Sequence, residues 1–366
     1  MEYVYRHNLP FFNYNINMNY MMELEINSQG ILIENLINEY IKNYCVLINI
    51  PIDIKRINIV ASGSSYNAGF FGKYFFENIS KTPTSVDFAS EVANGTFQNF
   101  EKDTLFIFIS QSGKSTDTLE ALKKVKNSGA KTFVITNNEN SPMHELGDYK
   151  FNIKAGLEHA IAATKTFSLS VVSLWMIALK IAQNKHIDIS NETKDVRLIS
   201  KEIENTLSKT ENLDFATKLI SKQKSLSIIG FNYHYPLSKE AALKIKETCF
   251  INTSSYPMGE FMHGHCAVLN KANTFLTFIT KDCKKEELQI LKKIKGTYKT
   301  KSIVVSDVYE DYDCDVLVKF PQCSTKIASI ISMIIISQLI ALKTALRLKR
   351  NVDKPKGLNK VVENKE

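Results

Sequence analysis

Short β-branched runs alternate with helical stretches along this chain, and they do so twice. Ile57–Ser62 (INIVAS) is apolar through most of its length, the pattern of a strand buried on both faces of a parallel sheet. It ends in Gly63-Ser64-Ser65, and a helical pattern then runs to Glu77. Residues 104–110 (TLFIFIS) repeat the scheme, followed by Gln111-Ser112-Gly113-Lys114-Ser115 and a helix that closes at Gly129. Thr132–Thr136 and a run opening at Phe151–Lys154 add two strands, and the apolar helix at Phe167–Leu179 follows. After a polar, partly helical stretch at 184–212 the pattern restarts with Ser225–Gly230 (SLSIIG). Thr274–Thr280, Ile303–Val305 and Val316–Phe320 come next, then a second apolar helix at Ile327–Leu348. INIVASGSSYNAGFFGKYFFE and LSIIGFNYHYPLSKEAALKIKE lie over each other as strand, loop and helix. The expectation is an α/β chain of two similar domains, each a parallel sheet flanked by helices.

The expected layout is an N-terminal helical arm (1–45), a first domain (46–190), a helical connector (191–214), a second domain (215–348) and a C-terminal tail (349–366). The arm carries apolar residues at three- and four-residue spacing, interrupted at Gly30, and should pack on the first domain or on a second subunit. The tail is highly charged, which by itself describes a frayed end. Its Val352, Leu358, Val361 and Val362 argue instead that part of it docks.

Composition narrows the function classes. The chain has 366 residues, and its 46 Lys+Arg against 38 Asp+Glu leave a net charge of +8 with no dense basic block, so nucleic-acid binding is not expected. A small anionic substrate suits such a balance. None of the six cysteines forms a CxxC pair, which fits a reduced, cytoplasmic protein. The N-terminus has no secretory pattern. The uncharged apolar stretches Phe167–Leu179 and Ile327–Leu342 fall short of the roughly 20 residues of a membrane span, so core helices and no membrane are expected.

Two loops and one helix carry chemistry. Ser110–Ser115 and Gly63–Ser65 each sit between a strand and a helix, where hydroxyls and free N–H groups make an anion site. Both loops belong at the carboxyl edge of the sheet, where open α/β folds bind ligands. Serines there also simply cap helices. Neither GxxxxGK(S/T) nor a strand-linked GxGxxG is present, so nucleotide folds of those types are not indicated. Further on, Glu240, Lys244 and Glu247 fall at i, i+4 and i+7, on one helix face, with Glu260, His263 and His265 close behind. A carboxylate, a lysine and histidines so close together suit proton transfer on a carbonyl compound. The plain alternatives are a solvated ion pair on a helix and histidines of a surface loop. The Glu260, His263 and His265 spacing matches no standard metal motif, so neither metal nor cofactor is expected.

Six motifs then occur in one family's order: SGSSYNAG (62–69), SQSGKSTDTLEAL (110–122), GLEHAIAATKTF (156–167), EAALKIKE (240–247), GEFMHG (259–264) and VDKPKGLNKVV (352–362). Over about residues 20–366 the chain resembles the isomerase half of glucosamine-6-phosphate synthase, a tandem of sugar isomerase (SIS) domains. It is also similar to SIS-type glucosamine-6-phosphate deaminases that lack a glutaminase domain. The resemblance implies a homodimeric enzyme acting on a hexose 6-phosphate, interconverting glucosamine 6-phosphate with fructose 6-phosphate and ammonia. It implies that Ser65, Ser110, Gln111, Ser112 and Ser115 hold the phosphate, with Ser64 beside them. It further implies that Glu247 moves the proton between C1 and C2, with Lys244 near the sugar oxygens. His263 would assist ring opening from the partner subunit, and Lys360 would form a Schiff base while the tail closes the site. The synthases begin with a glutaminase domain whose cysteine follows the initiator methionine. Residue 2 here is Glu2, so ammonia would come free or from a separate glutaminase subunit. Other readings within the resemblance are a deglycase of another aminated sugar phosphate and a non-catalytic sugar-phosphate sensor. Two positions depart from the synthase pattern: Lys114 replaces a glutamate, and the histidine loop reads HGH where HGP is usual.

Overall fold

The computed structural model describes residues 20–95, 100–281, 284–308 and 312–360. Helices α1 (Met21–Asn27) and α2 (Gln29–Tyr40) lead through a short hairpin, β1 (Ile41–Lys42) and β2 (Cys45–Val46), into the first α/β half. That half runs β3 (Arg56–Ala61), α3 (Gly63–Asn78), β4 (Thr84–Phe88), α4 (Ala89–Asn94), β5 (Thr104–Ile109), α5 (Thr116–Asn127), β6 (Lys131–Thr136), α6 (Pro142–Leu146), β7 (Tyr149–Asn152) and α7 (Lys165–Asn184). Helices α8 (Ser190–Thr193), α9 (Ile199–Lys209) and α10 (Leu213–Ile220) connect it to the second half. There β8 (Ser225–Gly230), α11 (His234–Cys249), β9 (Asn252–Pro257), α12 (Met258–Phe261), β10 (Thr274–Ile279), α13 (Lys284–Tyr298), β11 (Lys301–Ser306), β12 (Val316–Lys319) and α14 (Lys326–Arg347) follow.

The two sheets have the same plan. The first is ordered β4-β3-β5-β6-β7 and the second β9-β8-β10-β11-β12, each of five strands, all parallel. The expected tandem α/β architecture is therefore present. The central strands are those whose apolar runs stand out in the sequence: β5 and β10 are buried at all six positions. Sequence reasoning missed β4 (TSVDF) and β9 (NTSSYP), and both are edge strands. With one side unpaired and much of each strand half-exposed, neither needs an apolar run. The last strand of the first half, β7, begins at Tyr149, earlier than its apolar residues suggest. In the arm, the break falls at Ser28, whose hydroxyl donates to Glu25 O at 2.9 Å, and Gly30 lies inside α2. The connector is more than a linker, because α9 buries Ile199 and Ile203 and packs on α2 and α14.

One hydrophobic core passes through both halves. Helix α3 packs on α7, α11 packs on α14, and α3 meets α11 between the two sheets. Among the described residues α7 and α14 are the two helices long and apolar enough to cross a membrane, and 89% of each apolar window is buried inside the protein. They are core helices. A buried amide chain pins them together: Gln29 Nε2 donates to Gln338 Oε1 at 2.7 Å, and Gln338 Nε2 donates to Thr164 O at 3.2 Å.

The two ends of the described chain converge. Asp353 accepts from the backbone N–H of Met21 at 3.1 Å and of Met22 at 2.8 Å, so a tail carboxylate caps α1. Its carbonyl accepts from Ile161 N at 3.0 Å, and Val352 beside it is fully buried. Of the tail's four apolar residues, Val352 is buried, Leu358 is exposed, and Val361 and Val362 lie outside the described residues, so its contacts through Lys360 are mainly polar. One turn into α1, Glu25 accepts backbone N–H groups from His159 and from Ala160, the latter at 3.3 Å. Burial, and next the carboxylate of Glu158, push Glu25 from its ordinary 4.5 up to about 7.

Asp353→Ala should cost about 1 kcal/mol, the usual value of a lost helix cap, and lower the urea midpoint, with Asp353→Asn retaining most of the stability. Glu25 sets a pH dependence. Between about pH 4.5 and 7 the folded chain keeps a proton on Glu25 that the unfolded chain has released, so stability falls as pH rises through that window. Urea unfolding across pH 4–8 should show this slope in the wild type and a flatter one in Glu25→Gln. Equal slopes would mean that Glu25 ionises normally.

Candidate active site

The helix face Glu240, Lys244 and Glu247 is not a solvated ion pair. It lies inside the protein, where α11 meets α3, with Glu240 and Lys244 fully buried. Lys244 Nζ sits 2.5 Å from Glu247 Oε2 and 3.4 Å from Glu240 Oε1. Burial alone would pull its ammonium down, but the two carboxylates outweigh that and hold its pKa above the ordinary lysine value. Glu240 is raised by burial, against the pull of Lys244. Its other partners come from the first half: Ser64 Oγ donates to Oε1 at 2.9 Å and Asn67 Nδ2 to Oε2 at 2.8 Å. Glu247 differs from its neighbour in keeping 23% of its side chain exposed. It is the carboxylate of this face that keeps solvent access.

The hydroxyl loops stand at the carboxyl ends of β3 and β5, adjacent strands of the first sheet. Ser110 is buried, with its hydroxyl 3.4 Å from that of Ser115 and accepting Gly113 N–H at 3.2 Å. Gly113 has φ +65°, and a Cβ there would come 2.1 Å from Ser141 Oγ, so only glycine fits this bend. Gln111 is held by its carbonyl, which accepts from Asn137 N at 3.0 Å. Ser112 Oγ accepts Lys114 N–H at 3.2 Å, while the Lys114 side chain is exposed. Ser65 lies half-exposed on the first turn of α3. Neither α3 nor α5 is capped by the side chain that precedes it, Ser62 or Ser115. Their first N–H groups and the half-exposed hydroxyls together suit an anion. Ser64 departs from the expectation: its hydroxyl is turned toward Glu240 and bridges the two halves.

The tail brings Lys360 to the same region. Its Nζ donates to Glu158 Oε2 at 2.5 Å and to Ala160 O at 2.6 Å. Glu158 is a group that sequence reasoning passed over. It is fully enclosed and accepts from Thr164 N at 3.0 Å, Thr166 N at 3.1 Å and Thr166 Oγ1 at 2.7 Å, at the N-terminus of α7. Burial would raise its pKa, but Lys360 and these donors hold it below the ordinary glutamate value. It lies close enough to help raise Lys244. The available signal was a carboxylate just ahead of the hydroxyl-rich start of an apolar helix. Lys165, also here, donates to Leu157 O at 2.7 Å and is lowered by burial.

His263 is not joined to this cluster within one chain. It is exposed on the loop after α12, with its N–H donating to Glu260 O at 2.9 Å. His265 lies against Tyr256, with ring centroids 4.4 Å apart. Cys249, at the end of α11, is raised to about 11 by burial, which makes it a poor nucleophile.

Comparison with known proteins follows this geometry. The SIS domain model matches residues 52–180 and again 219–311. The glutamine–fructose-6-phosphate aminotransferase of Campylobacter jejuni is 33% identical over 310 residues, covering 84% of this chain and 51% of that protein. The corresponding Aquifex aeolicus enzyme is 30% identical, covering 85% of this chain and 52% of its own length. The chain thus spans about half the length of the curated relatives it matches. Among solved structures, the C-terminal domain of glucosamine-fructose-6-phosphate aminotransferase from Francisella tularensis superposes with a TM-score of 0.87 at 27% identity, covering 93% of this chain and 99% of that one. Glucosamine-6-phosphate deaminase from Thermotoga maritima shares the fold, with a TM-score of 0.75 at 23% identity over 93% of this chain and 99% of its own. A family signature carried on each of the two sheets, together with relatives matched across most of the chain, makes this protein a member of the SIS family with two SIS domains in tandem.

Proposed function

We propose that the chain is an amino-sugar-phosphate isomerase that interconverts glucosamine 6-phosphate with fructose 6-phosphate and ammonia. The observation that carries the reading is the state of Glu247, a partly exposed carboxylate locked 2.5 Å from a fully buried lysine. A ketose becomes a 2-aminoaldose by forming an imine at C2, losing a proton from C1 and regaining one at C2. One carboxylate beside both carbons can carry that proton. In this reading Glu247 is the proton carrier, and Lys244 holds it in place and stays cationic near the sugar oxygens.

The phosphate end rests on Ser65, Ser110, Gln111, Ser112 and Ser115, which position the reacting carbons from a distance. Ser64 serves the site indirectly, through Glu240. Lys360 reaches the carbonyl end and forms the Schiff base with the keto sugar, and a lysine must shed its proton to do so. Glu158, in contact with its ammonium, is the group placed to orient it. His263 acts across a homodimer and assists ring opening from the partner subunit. Both the aminotransferase names of its relatives and the six sequence motifs support a reaction of this class. Whether ammonia is released or incorporated in the cell depends on its supply.

The test is ammonia release from glucosamine 6-phosphate, and the reverse synthesis from fructose 6-phosphate with added ammonium. Glu247→Gln should lower kcat by about 10²–10⁴-fold while hexose 6-phosphate binding stays within a few-fold of wild type. Ser112→Ala should instead act mainly on KM. Full activity of Glu247→Gln would remove the carboxylate from the mechanism. Tight binding with no turnover in either direction would assign the chain to sugar-phosphate sensing.

A further inference from the structure

The second half contains a cavity of about 210 Å³ that no step above uses. It opens at the carboxyl ends of β8, β10 and β11, beneath the first turns of α14. Its polar lining includes His234, Thr280, Lys281, Asp307, Ser324 and Lys326. Ile330 and Met333 make an apolar wall. By topology it corresponds to the proposed phosphate site of the first half, since β8 and β10 stand where β3 and β5 do. In open α/β sheets this edge is where ligands enter. The residues that follow its strands differ from those of the first site, however. No serine loop follows β8 or β10, so a guest here is held by other groups.

Three of those groups are buried. His234 is 3% exposed, Asp307 5% and Thr280 8%. His234 Nδ1 lies 2.6 Å from Glu287 Oε1, and Glu287 is itself fully buried. That carboxylate fixes the ring. Nε2 faces Thr280 Oγ1, on the cavity wall, at 3.5 Å, which is long for a hydrogen bond. The ring is therefore held on one side and loosely engaged on the other. A buried histidine–glutamate pair adds little to stability that apolar packing could not supply. Its value lies in presenting an oriented imidazole to the cavity. At the mouth stand two exposed lysines, Lys281 and Lys326. The volume is below the roughly 300–1,000 Å³ of drug-sized pockets, so the guest is a small metabolite.

We propose that this cavity is a second ligand site, for a small phosphorylated sugar whose phosphate meets Lys281 and Lys326 and whose hydroxyl groups meet His234 and Asp307. Cations at the rim and a carboxylate with an imidazole at the floor divide the site into a phosphate end and a hydroxyl end. The inference does not depend on the function proposed above.

The test uses the full chain labelled with ¹⁵N-histidine, with the His234 signal identified from His234→Gln. Glucose 6-phosphate and inorganic phosphate are the two probes. The sugar phosphate should shift the His234 signal saturably, and phosphate alone should do so about tenfold more weakly. Lys281→Glu/Lys326→Glu, a change confined to the exposed rim, should weaken binding about tenfold or more. Ser110→Ala/Ser112→Ala, which disables the first site, should leave the His234 response unchanged. A His234 signal that does not move, or one that moves alike in the rim variant, overturns the proposal. A response lost with the serine loop would make it an echo of the first site and overturn it equally. Equal binding of the two probes would overturn the sugar end of the assignment.

Discussion

A lysine ammonium enclosed by protein has to be matched by charge, and Lys244 is matched twice. Glu240 and Glu247 flank it on one face of α11, and Glu240 is in turn held by Ser64 and Asn67 of α3. The chain of contacts therefore runs from the first sheet's helix, through a buried carboxylate and a buried cation, to a carboxylate at the surface of the site. Such a chain is costly to bury, and removing one partner would leave an uncompensated charge inside the protein. Here it ties the two halves of the protein in a fixed relation. The hydroxyl loops belong to one half and Glu247 to the other, so their spacing is set by this contact.

The second buried carboxylate, Glu158, plays the same part at the other end. It is satisfied by the first N–H groups of α7 and by Lys360, so the tail is anchored at a helix N-terminus. Glu25 and Asp353 brace the same region from α1 and from the tail itself. The site is thus surrounded by elements from the arm, both sheets and the tail. Each contributes one or two polar groups, and the apolar helices α7 and α14 supply the rigid ground between them.

What the sequence makes legible follows from where each residue ends up. Central strands such as β5 and β10 are buried on both faces and read directly as apolar runs. Edge strands β4 and β9 are polar and short, and nothing local distinguishes them from loops. The i, i+4, i+7 spacing of Glu240, Lys244 and Glu247 shows a shared face. Whether that face is wet or dry depends on α3, which lies more than 150 residues away in the chain. Glu158 is illegible for the same reason, because its partner is a tail lysine 202 positions distant. Ser64 was read as part of a phosphate loop, and only the packing of α3 on α11 turns its hydroxyl toward Glu240. His263, exposed on the loop after α12, stands apart from the cluster within one chain.

The cap that Asp353 places on Met21 and Met22 joins residues 331 and 332 positions apart. Contacts of such range close late, because the whole intervening chain has to be ordered first. Without the tail, the first N–H groups of α1 lack this carboxylate and turn to water. The cluster around Glu158 and Lys360 likewise needs the tail. The contacts that close the arm and the first half against the tail therefore depend on almost the whole length of the described chain.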